Sequence, residues 1–234
     1  MKLGSWIKDT LSDFTQLFYP RLCVCCDNVL ARGEHLICLD CRIRLAYTHR
    51  HEEKGNSFEQ RFYGRVKVEM ATTFLYFEKG NLTQKLLHGI KYRGFSQLGE
   101  ALGYQFGTEL KGGRWEDIDL LIPVPLHPDK LKVRGYNQAE SIARGIGQSI
   151  GKPVVTDVLY RKTANTTQTK KTAEERRENV KDIFSAHNLD KVENRHIAIV
   201  DDVLTTGATL EACAKAFSGV NVKISMMALA SAEK

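Results

Sequence analysis

Residues 197–209 read Ile-Ala-Ile-Val-Asp-Asp-Val-Leu-Thr-Thr-Gly-Ala-Thr. Ile197–Val200 is a short apolar run, which fits a buried strand. Leu210, Cys213 and Phe217 then recur at helical spacing, so a helix is expected over 208–217, with Cys213 in its core face. A strand, a turn and a helix in this order form the repeating unit of a parallel α/β sheet, whose ligands sit beyond the carboxyl ends of its strands. The turn between them contains Gly207 and is rich in hydroxyls. At a helix N-terminus such a turn offers free backbone N–H groups and the positive dipole end to a phosphate. Thr205, Thr206 and Thr209 add hydroxyl donors. Asp201 and Asp202 would repel that phosphate. They suit the neighbouring group, a ribose diol, which they can hold by accepting two hydrogen bonds. The stretch reads as a binder of ribose 5-phosphate.

Working outward, strands are expected at 66–77, 118–125 and Lys223–Ala230, with a further candidate at Val154–Leu159. Helices are expected at 82–92, 97–110 and 137–150, and a polar one at 173–181. Strands alternating with helices predict a mainly parallel α/β sheet. Residues 48–60 are charged and show no apolar periodicity, so they read as a linker. It would divide an N-terminal unit, residues 1–50, from a main domain, residues 61–234.

Five of the six cysteines crowd into Cys23–Cys41. Cys23-Val-Cys25-Cys26 faces Cys38-Leu-Asp-Cys41 across an eleven-residue loop. Each C-x2-C turn supplies half of a tetrahedral thiolate shell, and two complete a structural zinc site at Cys23, Cys26, Cys38 and Cys41. Disulfides or a redox pair are the alternative, disfavoured where no secretory signal is seen. Cys25 is a spare that can replace Cys23 or Cys26, or stay a free thiol. His35, His49 and His51 are expected at the surface. So small a segment has little apolar core, so its metal should supply its folding energy, and chelation should unfold residues 20–45 alone. Ahead of the knuckles, Leu3, Trp6, Ile7, Leu11, Phe14, Leu17 and Phe18 recur at helical spacing until Pro20. That helix would pack on its own domain, or dock on a partner protein or membrane surface.

The 234 residues are 42% hydrophobic, enough for a sizeable core and against wholesale disorder. No apolar run approaches the ~20 residues that cross a bilayer. Asp9 and Asp13 interrupt the stretch a signal peptide needs, so a cytoplasmic chain is expected. The formal net charge is +6, and residues 129–181 alone carry 12 basic against 6 acidic residues, the whole excess. A local anionic partner is expected there.

Ile197–Thr209 resembles the phosphoribosyl pyrophosphate (PRPP) signature of type I phosphoribosyltransferases. Further motifs narrow the resemblance: His88-Gly-Ile-Lys91-Tyr92-Arg93-Gly94, Ile122-Pro-Val-Pro-Leu-His127, Arg134-Gly-Tyr-Asn137-Gln138-Ala-Glu140, and Arg161 followed by Thr167, Gln168, Glu175, Arg176 and Asn179. With the cysteine module, these resemble the ComF (ComFC-like) competence-protein family over nearly the whole chain.

The resemblance implies a type I phosphoribosyltransferase-like parallel sheet with helices on both faces, plus a small N-terminal four-cysteine zinc-finger module. It implies PRPP as ligand, with Mg²⁺. Asp201 and Asp202 would hold the ribose hydroxyls, and Thr205, Thr206, Gly207, Ala208 and Thr209 the 5-phosphate. Val124, Pro125, Leu126 and His127 would receive the pyrophosphate, whose compact charge Lys132 and Arg134 would offset. Arg161–Asn179 resembles a mobile loop that closes over PRPP; its polar composition equally fits a solvated loop and helix. Lys91 and Arg93 would contact phosphate or nucleic acid, or be ordinary surface residues. Two function classes follow. One is an enzyme that transfers a phosphoribosyl (pentosyl) group to an acceptor. The other is a non-catalytic competence factor that binds single-stranded DNA and uses the PRPP pocket for regulation. A competence helicase-like ATPase is the implied partner.

Overall fold

A computed structural model describes residues 20–92, 94–162 and 183–232. The leading apolar segment 3–18, Arg93, and the stretch 163–182 with Thr167, Gln168, Glu175, Arg176 and Asn179 lie outside the described residues.

Four strands form one parallel sheet: β1 (Met70–Phe77), β2 (Leu120–Pro123), β5 (His196–Leu204) and β6 (Lys223–Ala232), in the order β1-β6-β5-β2. Most of β6 and the Ile197–Val200 part of β5 are buried, because both faces are covered there. One face carries α3 (Leu82–Tyr92), α4 (Ser96–Glu109) and α6 (Gln138–Ile150). The other carries the short α2 (Ser57–Gln60), α7 (Ala208–Lys215) and a small antiparallel pair, β3 (Leu159–Arg161) with β4 (Phe184–Ala186). Further short helices among the described residues are α1 (Leu39–Ile43) and α5 (Pro128–Arg134). No helix among the described residues is long and apolar enough to cross a membrane.

Three expectations are corrected. The last strand expected before the hydroxyl turn continues past Val200, since Asp201 pairs with Ala228 and Leu204 with Ser231. Ladder hydrogen bonds do not require apolar side chains, so the carboxylates ride in the strand. Val154 forms only an isolated parallel bridge to Leu121, and the strand lies at Leu159–Arg161 instead. Residues 48–60 are not a free linker. The Thr48 hydroxyl donates to the Thr73 carbonyl, and the Trp115 indole N–H donates to the His51 carbonyl at 2.8 Å. Asn56 is buried and caps α2, accepting from the Phe58 and Glu59 N–H groups at 2.9 and 3.0 Å. Its amide also donates to the Ala71 carbonyl of β1 at 3.0 Å. Here polar side chains bond to backbone, a kind of order that leaves no hydrophobic period.

The cysteine-rich segment packs on the sheet. Tyr76 N–H donates to the Ala46 carbonyl at 2.7 Å and Thr48 N–H to the Phe74 carbonyl at 3.0 Å, so the segment's exit runs along β1. Cys23, Cys25, Leu30, Ile37, Cys41 and Leu45 are buried in the same core as Leu75, Leu86 and Ile90.

Candidate functional site at the carboxyl end of the central strand

Strand β5 delivers Asp201 and Asp202 to the carboxyl edge of the sheet, both half-buried. Neighbouring strand residues face opposite sides. Asp201 lies toward α7: burial, and then its charge, push the buried Cys213 thiol well above its ordinary value. Asp202 lies toward α3, where Lys91 Nζ sits 2.9 Å from its Oδ2. Asp202 N–H donates to Asp201 Oδ1 at 2.8 Å, tying the pair together. Burial and the neighbouring Asp202 carboxylate push the Asp201 carboxyl up to about 7.

That shift has a sign. Between pH ~4 and ~7 the folded chain holds a proton that the unfolded chain has released, so stability falls as pH rises through this window. Asp201→Asn should remove this slope. Urea unfolding at pH 5 and pH 8 should show wild type losing stability relative to the variant; parallel profiles would place the proton elsewhere.

Beyond Leu204 the chain turns at Thr205, Thr206 and Gly207 into α7. Gly207 has φ 81°, in the left-handed region, and a Cβ there would lie 2.9 Å from the Phe62 ring. Among the described residues, none accepts a hydrogen bond from the N–H groups of Thr205, Thr206 or Gly207. Thr205, Thr206, Ala208 and Thr209 are exposed, and a small cavity of about 30 Å³ is lined by Asp201 and Val203–Leu210. The turn's carbonyls, by contrast, are taken from behind. Arg61 donates to the carbonyls of Leu204 at 3.3 Å, Thr205 at 2.6 Å and Ala232 at 2.9 Å. Arg65 donates to the Thr206 carbonyl at 2.9 Å and pairs with Glu211. With its acceptors occupied, the turn presents donors outward, as an anion site requires. Sequence reasoning missed Arg61, Phe62 and Arg65. Their only local signal is an i,i+4 arginine pair just past the Asn56 cap.

The loop after β2 reaches the same edge. Val124 N–H donates to the Val200 carbonyl at 2.8 Å, and Pro125, Leu126 and His127 follow, half-buried. His127 caps α5, its Nδ1 accepting from Asp129 N–H at 3.3 Å. Lys132 on α5 is exposed. Arg134 ends that helix with its guanidinium 5.4 Å from the Tyr92 ring centroid. Tyr136 donates its hydroxyl to the Ile90 carbonyl, and Asn137 donates its amide to the Val124 carbonyl at 3.0 Å while capping α6. The motifs 88–94 and 134–140 therefore meet, bringing Lys91 and Arg134 to one rim. Arg161 lies on β3, its guanidinium 5.5 Å from the Phe184 ring. A cavity of about 500 Å³ lies elsewhere, at the amino ends of the strands around Asp119, His196 and Lys223.

The Sγ atoms of Cys23, Cys26, Cys38 and Cys41 all lie within 4.8 Å of one another. Cys26 and Cys38 are 3.7 Å apart, near the ~3.8 Å edge of a tetrahedron with Zn–S of about 2.3 Å. Cys38 N–H points at Cys23 Sγ and Cys41 N–H at Cys38 Sγ, both at 3.4 Å, backbone donors that would steady thiolates around a metal. The set fits a metal such as zinc. Cys25 stands outside it, fully buried, and burial and the nearby Cys23 push its thiol up to about 12.

Residues 131–234 match the phosphoribosyl transferase domain family. The chain is 34% identical to competence protein F of Haemophilus influenzae over 106 residues, 45% of this chain and 46% of that one. It is 28% identical to DNA utilization protein YhgH of Escherichia coli O157:H7 over 210 residues, 83% of this chain and 89% of that one. A glutamine PRPP amidotransferase from B. subtilis superposes with a TM-score of 0.41 at 16% identity, over 61% of this chain and 30% of that one.

Proposed function

The chain is a ComF-family protein built on a phosphoribosyltransferase-type domain, and from that premise we propose that it binds PRPP at the carboxyl end of β5 and transfers the phosphoribosyl group to an acceptor during DNA uptake or utilization. The observation that carries this is the free N–H groups of Thr205–Gly207 beside the Asp201–Asp202 pair. Thr205, Thr206, Gly207, Ala208 and Thr209 hold the 5-phosphate. Asp201 and Asp202 accept from the ribose hydroxyls. Val124–His127, Lys132 and Arg134 face the leaving pyrophosphate and offset its charge. Mg²⁺, when bound with PRPP, supplies charge neutralisation at the pyrophosphate. Cys23, Cys26, Cys38 and Cys41 hold a structural Zn²⁺. A cytoplasmic location and a helicase-like ATPase partner belong to the same proposal.

Asp202→Asn should weaken PRPP binding at least about tenfold in calorimetry with Mg²⁺, since a carboxylate accepting two hydroxyls is a charge-assisted site. Wild type should release pyrophosphate when the right acceptor is supplied. PRPP affinity unchanged in the variant would overturn this placement of the ribose.

One observation favours the DNA-binding factor. Lys130 and Lys132 stand exposed on α5, the helix whose last residue, Arg134, lies over the Tyr92 ring, itself 66% exposed. A cationic track with a stacking ring suits single-stranded DNA. DNA affinity that survives Asp202→Asn, with no pyrophosphate release from any acceptor, would favour it over the transferase.

A further inference from the structure

Lys91 is the cation that the described structure pairs with the carboxylate dyad. It stands on the last turn of α3, where the helix dipole favours positive charge. Both partners are largely withdrawn from water: the Lys91 side chain is 26% exposed and that of Asp202 17%. The turn that carries it is fixed on both sides, by Tyr136 on the Ile90 carbonyl and by Arg134 over Tyr92. Lys91 therefore touches the dyad on one side, while its neighbour Tyr92 carries Arg134, the last residue of α5.

A ribose diol that donates to Asp202 must share or displace the ammonium on Oδ2. The lysine stem is flexible, and its ammonium is a compact point charge that re-forms its bonds at short range. In PRPP the pyrophosphate leaves from the carbon next to the 2-hydroxyl, so its nearest oxygens lie beside the displaced ammonium. Resting on the PRPP reading above, we propose that Lys91 is an exchange cation: it neutralises Asp202 in the free protein and moves onto the pyrophosphate when the ribose diol takes its place. It then distinguishes PRPP from ribose 5-phosphate, which offers the same diol and 5-phosphate but no pyrophosphate.

Calorimetry with PRPP and with ribose 5-phosphate, both at fixed Mg²⁺, tests this in wild type, Lys91→Gln and Lys91→Arg. Lys91→Gln should lose about tenfold to hundredfold in PRPP affinity, the range of one charge-assisted bond. Its affinity for ribose 5-phosphate should stay within about threefold or rise, because the competing cation is gone. Lys91→Arg should recover part of the PRPP loss. Should Lys91→Gln not fold, Lys91→Met keeps the stem and repeats the comparison. Equal losses for both ligands, or no loss for either, would overturn the exchange while leaving PRPP binding intact. A wild type that binds neither ligand would overturn the functional reading and the exchange together.

Discussion

Serine at Cys38 is expected to loosen the sheet as well as the knuckles. A four-thiolate metal shell contributes folding free energy directly, and one lost ligand breaks it. Were the module independent, damage would stop near residue 45. The contacts argue against that. Lys85 on α3 donates to the Cys25 carbonyl at 2.7 Å. Val24 sits so close to α3 that a Cβ on Gly89 would lie 3.1 Å from its Cγ1. Cys23 and Cys41 share a core with Leu75 of β1 and Leu86 and Ile90 of α3. Losing the shell opens that core from one side, at a cost of several kcal/mol, about 4 by analogy with large core deletions. For a chain of this size that corresponds to a Tm fall of roughly 8–16 °C. Hydrogen exchange should rise at Thr73–Phe77 and Leu86–Ile90, along with residues 20–48. Because α3 also carries Lys91, PRPP binding should weaken too. Faster exchange confined to residues 20–48 would restore the view of an independent module.

The parts of the molecule legible in the sequence are those where one local pattern carries one physical requirement. Ile197–Val200 followed by carboxylates and a glycine turn could hardly be anything but a strand entering a helix. The paired C-x2-C turns pointed to four ligands for the same reason. What escaped depends on distance along the chain. Arg61 reaches Leu204, Thr205 and Ala232 from more than 140 residues away, and no local pattern encodes that. Residues 48–60 looked unstructured because their order comes from Asn56, Thr48 and the His51 carbonyl, which bond to backbone or to a buried tryptophan. Lys91 was visible as a cation, but its partner, Asp202, lies 111 positions away. Cys25 differs from Cys23 only in which way its thiol points, and spacing does not record that.

Alanine at Gly103 should destabilise the protein, although helix propensity says the opposite. Glycine in a helix interior costs about 1 kcal/mol relative to alanine, so at an open position the change would stabilise. Gly103 is not open. Helices α4 and α6 meet along Gly99, Gly103, Gly107 and Gly145, where backbone approaches backbone. A Cβ on Gly103 would lie against the Ile142 carbonyl oxygen, 3.0 Å from its carbon and 3.2 Å from its Cα. Backbone in a packed helix cannot step aside as a side chain can, so relief requires α6 to move. Overpacking of this kind costs about 3 kcal/mol. Set against the propensity gain, the net loss is about 2 kcal/mol, or roughly 4–8 °C in Tm. The effect should reach the site as well. Helix α6 begins at Asn137, whose amide holds the Val124 carbonyl at 3.0 Å, and the preceding Tyr136 holds the end of α3. Pushing α6 outward pulls on both, so PRPP affinity should fall alongside stability. A Gly103→Ala protein that melts above wild type would mean that α4 and α6 are further apart than described, and that the 134–140 turn is not held to the sheet through them.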